Sequence, residues 1–264
     1  MDDEWRPKVE STRELCPLTE WFSIENGQRT FSRCTFAIVT HEHRVYVGQA
    51  PVRKYHLTAK IINESLKFVP DDEVYPEAPP NITIASVPIN NKEVFVKGPT
   101  LSLYDTLAGT DSLPRLLLQE AETLELLSRV GQHPNIVRYH GCLVKRSRII
   151  GIVLGRLTEL LEYRFEDKGR EPFDAEACMR KIESAVQFLH SQGLAHNDIK
   201  PTNIMLDEHD EPYMTDFGSC RPFGSLLITG GTPGWVDEEY THSARRNDEI
   251  ALGKLRTWLK EKTS

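Results

Sequence analysis

Apolar positions along this chain change period more than once, and each change marks an element. Between residues 30 and 53, "RTFSRCTFAIVTHEHRVYVGQAPV" alternates polar and apolar residues on either side of a polar "HEHR". A period of two predicts a pair of strands joined by a turn, with one face seeking a partner. The stretch 68–81, "FVPDDEVYPEAPPN", is rich in proline and acid and reads as a loop or boundary. Beyond it, "ITIASVPI", "NNKE" and "VFVK" predict strand, turn and strand. The period then becomes helical over "SLPRLLLQEAETLELLSRVG", with Leu117, Leu124 and Leu127 on one face and Gly131 placed to end the helix. "HPN" makes a turn, and "IVRYHGCLV" and "RIIGIVL" predict two more strands around a basic turn. "DAEACMRKIESAVQFLHSQG" predicts a second helix, with Asp174 as N-cap and Gly193 as its stop. A strand-rich first part thus meets a helix-led second part near "GRLTE" at 155–159, and a cleft between two lobes is the expectation.

Composition narrows the function. The net charge of -7 over 264 residues argues against a chain whose business is gripping nucleic acid or an anionic membrane surface. The longest apolar runs, such as "IIGIVLG", fall far short of the roughly 20 residues that cross a bilayer. "MDDEWRPKVE" lacks the apolar core of a secretory leader. Cys16, Cys34, Cys142, Cys178 and Cys220 are odd in number and scattered, so they read as reduced thiols of a cytoplasmic or nuclear protein. His41 and His43 belong to the predicted turn, with no further Cys or His cluster to make them metal ligands.

The chemistry gathers in "HNDIKPTNIM", residues 196–205. Asp198 and Asn203 supply oxygen ligands, and Lys200 between them supplies a mobile positive charge. Magnesium takes a few protein oxygens and shares the rest with phosphate, and a lysine neutralises charge on a transferring phosphoryl group. A second carboxylate should lie nearby: Asp216 in "MTDFGSC", brought back beside Asn203 by two short strands around "DEHDEPY". The bland alternative for Asp198 and Asn203 is a loop capping its own turn, and for Lys97 a solvated strand end.

"HNDIKPTN" resembles the catalytic loop H-R-D-x-K-x-x-N of the protein kinase family, and "DFG" at 216–218 matches that family's metal-binding motif. "VFVK", "HPNIVRYHGC" and "GTPGW" at 231–235 are similar to its ATP-lysine strand, the turn after its regulatory helix and the end of its activation segment, in the family's order. "HND", "DFGSCRP" and "NDEIALGKLRTWL" further resemble divergent serine/threonine kinase-like proteins of filamentous fungi.

The resemblance implies an α+β, two-lobed protein kinase-like fold: an atypical N-terminal extension over 1–81 packed on the small lobe, an N-lobe over 82–154 and a truncated helical C-lobe over 155–264. It implies ATP and Mg2+ as cofactors. Asp198 would orient or deprotonate the acceptor hydroxyl, and Lys200 would stabilise the transferring phosphate. Asn203 and Asp216 would hold magnesium, and Lys97 would contact the α and β phosphates. Leu154 and Leu157, flanking the junction of the two parts, would also bind the nucleotide. Thr232 would brace Asp198 and Lys200.

The family's lysine partner shares a helix face with apolar residues four and seven positions on, which selects Glu120 with Leu124 and Leu127 and leaves Glu122 and Glu125 to a solvated face.

Three departures qualify the match. No glycine stands between Gly48 and Gly98, where a phosphate-covering loop belongs. Asn197 replaces the arginine that would pair with an activation-loop phosphate. The sequence ends soon after a helix resembling the central helix of the large lobe, and by the same resemblance Glu239 is expected to lack the arginine partner that the family places further downstream. Three functions stay open: a kinase phosphorylating serine or threonine of a protein substrate, a pseudokinase binding a protein partner, and a small-molecule phosphotransferase.

Overall fold

The computed structural model describes residues 6–25, 27–89, 91–167, 169–228, 231–237 and 240–263; Glu239 lies outside them. In chain order the elements are β1 (Leu18–Glu25), β2 (Gln28–Val39), β3 (Val45–Ala50), α1 (Ala59–Ser65), β4 (Lys67–Val69), β5 (Val94–Lys97), α2 (Tyr104–Leu107) and α3 (Ser112–Val130). There follow β6 (Tyr139–Lys145), β7 (Arg148–Gly155), β8 (Glu159–Leu160), α4 (Ala175–Ser191), β9 (Leu194–Ala195), β10 (Ile204–Leu206), β11 (Pro212–Met214), β12 (Arg221–Pro222) and α5 (Arg245–Thr263). They pack as two compact units, each assembled from separate stretches of chain.

The first unit takes the described residues up to Ala78, with 98–117 and 144–150. Its sheet runs in the order β1-β2-β3-β4. The hairpin expected at 30–53 is β2 against β3, closing at Val39 opposite Val45. β1 was not legible: a bulge at Trp21/Phe22 shifts its register, so the side-chain alternation is broken midway. Cys34, Phe36 and Tyr46 from the sheet meet Val9, Leu15, Leu57, Leu66 and Ile62 of α1 in a core of their own. Gly48 is required there, because a Cβ would sit 2.4 Å from the Phe36 ring. The same unit ties Arg146 to Asp71 and to the carbonyls of Glu42 and His43, and Tyr104 to Glu73.

The second unit takes 79–97, 118–143 and residues 151 onward. Its first sheet runs β5-β7-β6, with Val94 opposite Gly155 and Lys97 opposite Ile152. The strand expected at 82–89 is absent. Ile84 makes one isolated parallel bridge to Cys142, is 65% exposed, and is soon followed by Pro88, which has no N–H to extend a ladder. α3 buries Leu124 and Leu127, and Gly131 beyond it takes φ +128. Asp174 caps α4 by accepting from the Ala177 amide at 2.8 Å, and Gly193 takes φ +73 past its end. α4 buries Met179, Ile182, Val186 and Leu189, and packs on α5. β10 and β11 pair antiparallel beside β8, and β9 pairs with β12. Among the described residues no helix is long and apolar enough to cross a membrane.

Candidate active site

Lys97, Glu120, Asp198, Lys200, Asn203, Asp216 and Thr232, the polar residues given a catalytic or binding role in the sequence, fall within the second unit. β9 delivers the chain to residues 196–203, and the backbone there hangs on one buried carboxylate. Asp248, fully buried in the first turn of α5, accepts from the His196 amide at 2.9 Å, the Asn197 amide at 2.8 Å and His190 Nε2 at 2.9 Å. A buried charge is tolerable only with such donors. Asn197 takes φ +63, a left-handed conformation that asparagine adopts more readily than most residues. Its Nδ2 faces the carbonyls of Ala195 (2.8 Å) and Ser219 (2.9 Å) and Ser243 Oγ (3.0 Å), while its Oδ1 accepts from Asn247 Nδ2 at 3.0 Å. The departure from the family pattern is therefore a buried neutral amide that binds the loop to the segment after "DFG".

Asp198 follows directly. Its Oδ1 accepts from Thr232 Oγ1 at 2.8 Å and the Thr232 amide at 3.2 Å, and its Oδ2 accepts from Lys200 Nζ at 2.7 Å and Asn203 Nδ2 at 2.9 Å. Lys200 Nζ also reaches Thr232 Oγ1 at 2.5 Å, so the sequence expectation for Thr232 matches the geometry. Asn203 spends its amide nitrogen on Asp198, which leaves its Oδ1 without a hydrogen bond among the described residues.

The β10–β11 hairpin returns the chain so that the Thr215 amide and hydroxyl both donate to the Asn203 carbonyl, at 2.9 and 3.0 Å. Asp216 is the next residue, at φ +57, and its Oδ1 accepts from Lys97 Nζ at 2.8 Å. Lys97, at the end of β5, also donates to Glu120 Oε1 at 2.7 Å, and that oxygen accepts from the Phe217 amide at 3.1 Å. One lysine thus serves two carboxylates. Burial works against the Lys97 charge, but Glu120 and Asp216 outweigh it and hold the ammonium above its ordinary value. Burial, joined by the Asp216 charge, pushes the Glu120 carboxyl up. Asp216 is held low by Lys97 against its own desolvation.

Leu154, buried in β7, lies opposite Phe95 of β5, and Leu157 follows the end of β7, partly exposed. Sequence reasoning missed Asp248, whose partners lie about fifty residues away in the chain, and it misplaced Glu125. That residue is 6% exposed and not on a solvated face: it accepts from the Thr83 amide and hydroxyl, Tyr139 and Arg129. The cause is the 81–85 segment, which lies over α3 and which no helical pattern announces.

A loop offering Asp, Lys and Asn, a carboxylate just past the next hairpin and a Lys–Glu pair on sheet and helix are the kinds of group that phosphoryl transfer draws on. A family model for the protein kinase domain matches residues 107–250, more than half of the chain. The chain belongs to the protein kinase family. It is 36% identical over 118 residues to CBL-interacting serine/threonine-protein kinase 15 of Arabidopsis thaliana, covering 42% of this chain and 28% of that protein. CBL-interacting protein kinase 20 of Oryza sativa is 37% identical over 123 residues, 42% of this chain and 26% of that protein. Fatty acyl-CoA synthetase and RNA processing-associated kinase 1 of Saccharomyces cerevisiae is 35% identical over 159 residues, 58% of this chain and 18% of that protein. The matched region is thus less than a third of each of these relatives.

Proposed function

We propose that the chain transfers a phosphoryl group from ATP, with Mg2+, to serine or threonine hydroxyls of a protein substrate. The observation that carries this reading is Asp198, held through both carboxylate oxygens by Thr232, Lys200 and Asn203. A carboxylate so fixed is suited to receive the proton of an acceptor hydroxyl, and Lys200 beside it to offset charge on the moving phosphoryl group. Asn203 and Asp216 fit Mg2+: both donors are oxygens, Asn203 Oδ1 takes no other bond among the described residues, and the two residues are joined through Thr215. When bound, the ion supplies charge neutralisation for the phosphates. Lys97, steadied by Glu120, is suited to a phosphate, and Leu154 and Leu157 to the nucleotide's apolar part.

A second reading, a pseudokinase serving as a binding module, is favoured by the absence of any glycine between Gly48 and Gly98. The "HND" and "DFGSCRP" wording supports a place among divergent kinase-like proteins of filamentous fungi, and the composition supports a cytoplasmic or nuclear setting without nucleic acid or membrane as partner. Thermal unfolding with and without millimolar Mg-ATP tests nucleotide binding, which raises the melting temperature if it occurs. Phosphate transfer to generic serine/threonine substrates then separates the two readings. No shift with Mg-ATP overturns both as nucleotide-dependent functions, and a shift without transfer leaves the binding module.

A further inference from the structure

Glu120 meets Lys97 only if α3 keeps its rotation about its own axis, and the structure holds that rotation from the other side of the helix. Glu125 lies five positions after Glu120, which at 3.6 residues per turn places them about 140° apart. The Glu125 carboxylate accepts five hydrogen bonds: the Thr83 amide (3.0 Å) and hydroxyl (2.8 Å), the Tyr139 hydroxyl (3.0 Å), and Arg129 Nε (3.1 Å) and Nη2 (2.8 Å). Arg129 Nη2 also donates to the Asn81 carbonyl at 2.8 Å, which closes the same segment over the helix. Thr83 is fixed in turn by β6, through Cys142 N to the Thr83 carbonyl at 2.7 Å and Ala85 N to the Cys142 carbonyl at 3.0 Å. Gly141, at φ +115, allows that approach, since a Cβ there would lie 2.7 Å from the Ala85 nitrogen. A turn of α3 that withdrew Glu120 from Lys97 would pull Glu125 away from Thr83 and Tyr139.

We propose that Glu125 is a positioning residue for the active site: by fastening α3 to Thr83 and β6, it keeps Glu120 on Lys97 and on the Phe217 amide without help from a phosphate. This rests on the phosphotransfer reading for its purpose, but the fastening itself does not. The neighbouring residue to Glu120 adds a second tie, since Gln119 Oε1 accepts from the largely buried Arg221, which also donates to the Cys220 and Gly218 carbonyls. Asn197 is consistent with this, a neutral amide standing where the family resemblance leads one to expect an arginine for phosphate pairing.

The test uses the whole, nucleotide-free chain and follows amide hydrogen exchange by NMR. In Glu125→Gln the Phe217 amide, which donates to Glu120, should exchange about tenfold faster while the Leu189 amide in α4 keeps its protection. Tyr139→Phe, which removes one donor and keeps the carboxylate, should give a smaller change in the same sense. Should Glu125→Gln fail to fold, Tyr139→Phe decides alone. Unchanged Phe217 exchange, or equal acceleration at Phe217 and Leu189, overturns the proposal, the latter because it shows general loosening. A second arm measures Mg-ATP affinity. Glu125→Gln should weaken it several-fold in the natural chain and add nothing in a Lys97→Met background, as coupled residues do. An equal loss in both backgrounds overturns the proposal. If the natural chain binds no Mg-ATP, the phosphotransfer reading fails and the exchange arm still decides the role of Glu125.

Discussion

Replacing Asn197 tests whether the loop that carries Asp198 is held by the amide network. In Asn197→Ala the side chain loses two N–H donors, shared among the Ala195 and Ser219 carbonyls and Ser243 Oγ, and one acceptor that receives Asn247 Nδ2. Three neutral hydrogen bonds contribute about 1 kcal/mol each, and the groups left behind are buried, so none regains water freely. Alanine at φ +63 adds about 1 kcal/mol of backbone strain that asparagine largely avoids. The sum is about 4 kcal/mol, a large part of the 5–15 kcal/mol typical of a whole domain. Urea unfolding followed by circular dichroism should show it as a shift in midpoint at unchanged slope. Asn197→Arg, which restores the family residue, should be worse than alanine, because Asn197 is 1% exposed and a guanidinium there meets Asn247 Nδ2 as a competing donor. A loss below 1 kcal/mol in Asn197→Ala, or an arginine variant more stable than the alanine one, refutes this account of the loop.

Asp198→Asn should lower phosphate transfer by about 100-fold or more while Mg-ATP affinity stays within twofold, since general-base roles carry factors of that size; steady-state kinetics beside calorimetric binding decide it. Asp216→Asn should remove the magnesium-dependent part of nucleotide stabilisation, read as the difference in melting temperature with and without the metal. Acid should destabilise the chain through Glu125 and Asp210. Burial alone would raise Glu125, but the bonds from Thr83, Tyr139 and Arg129 leave it low, and the bonds from Arg164 hold Asp210 low. Depressed folded values mean stability complete above the unfolded values of 4.5 and 3.8 and lost as pH falls through the lower folded ones. Urea midpoints between pH 7 and pH 3 should fall less in Asp210→Asn than in the natural chain. A chain begun at Pro79 deprives Arg146 of Asp71 and the carbonyls of Glu42 and His43, and should melt lower; an unchanged melting temperature contradicts that.

What the sequence made legible was local. Asp198, Lys200, Asn203 and Asp216 stand within one short run, and the β10–β11 hairpin between them is written in its own turn residues. α3 and α4 could be read because their apolar stripes and stops repeat at helical spacing. What escaped depends on distant partners. Asp248 looks like any acid in a helix's first turn until His196 and Asn197 are brought to it. Glu125 sits beside Leu124 at the edge of an apolar stripe, and whether such a position is wet depends on what lies over it; here Thr83 does. The strand expected around Ile84 stops at one isolated bridge to Cys142, because Pro88 soon after has no N–H with which to extend the ladder.

The Phe217 ring is fully buried, meets the His196 ring edge-on at 5.2 Å and 63°, and its amide is bonded to Glu120. An inhibitor that works by taking the place of this ring must expose it to water, which costs about 2 kcal/mol before the amide bond is counted. That corresponds to roughly a 30-fold loss of affinity. Compounds that leave the ring in place carry no such handicap, so screening against this chain should favour them.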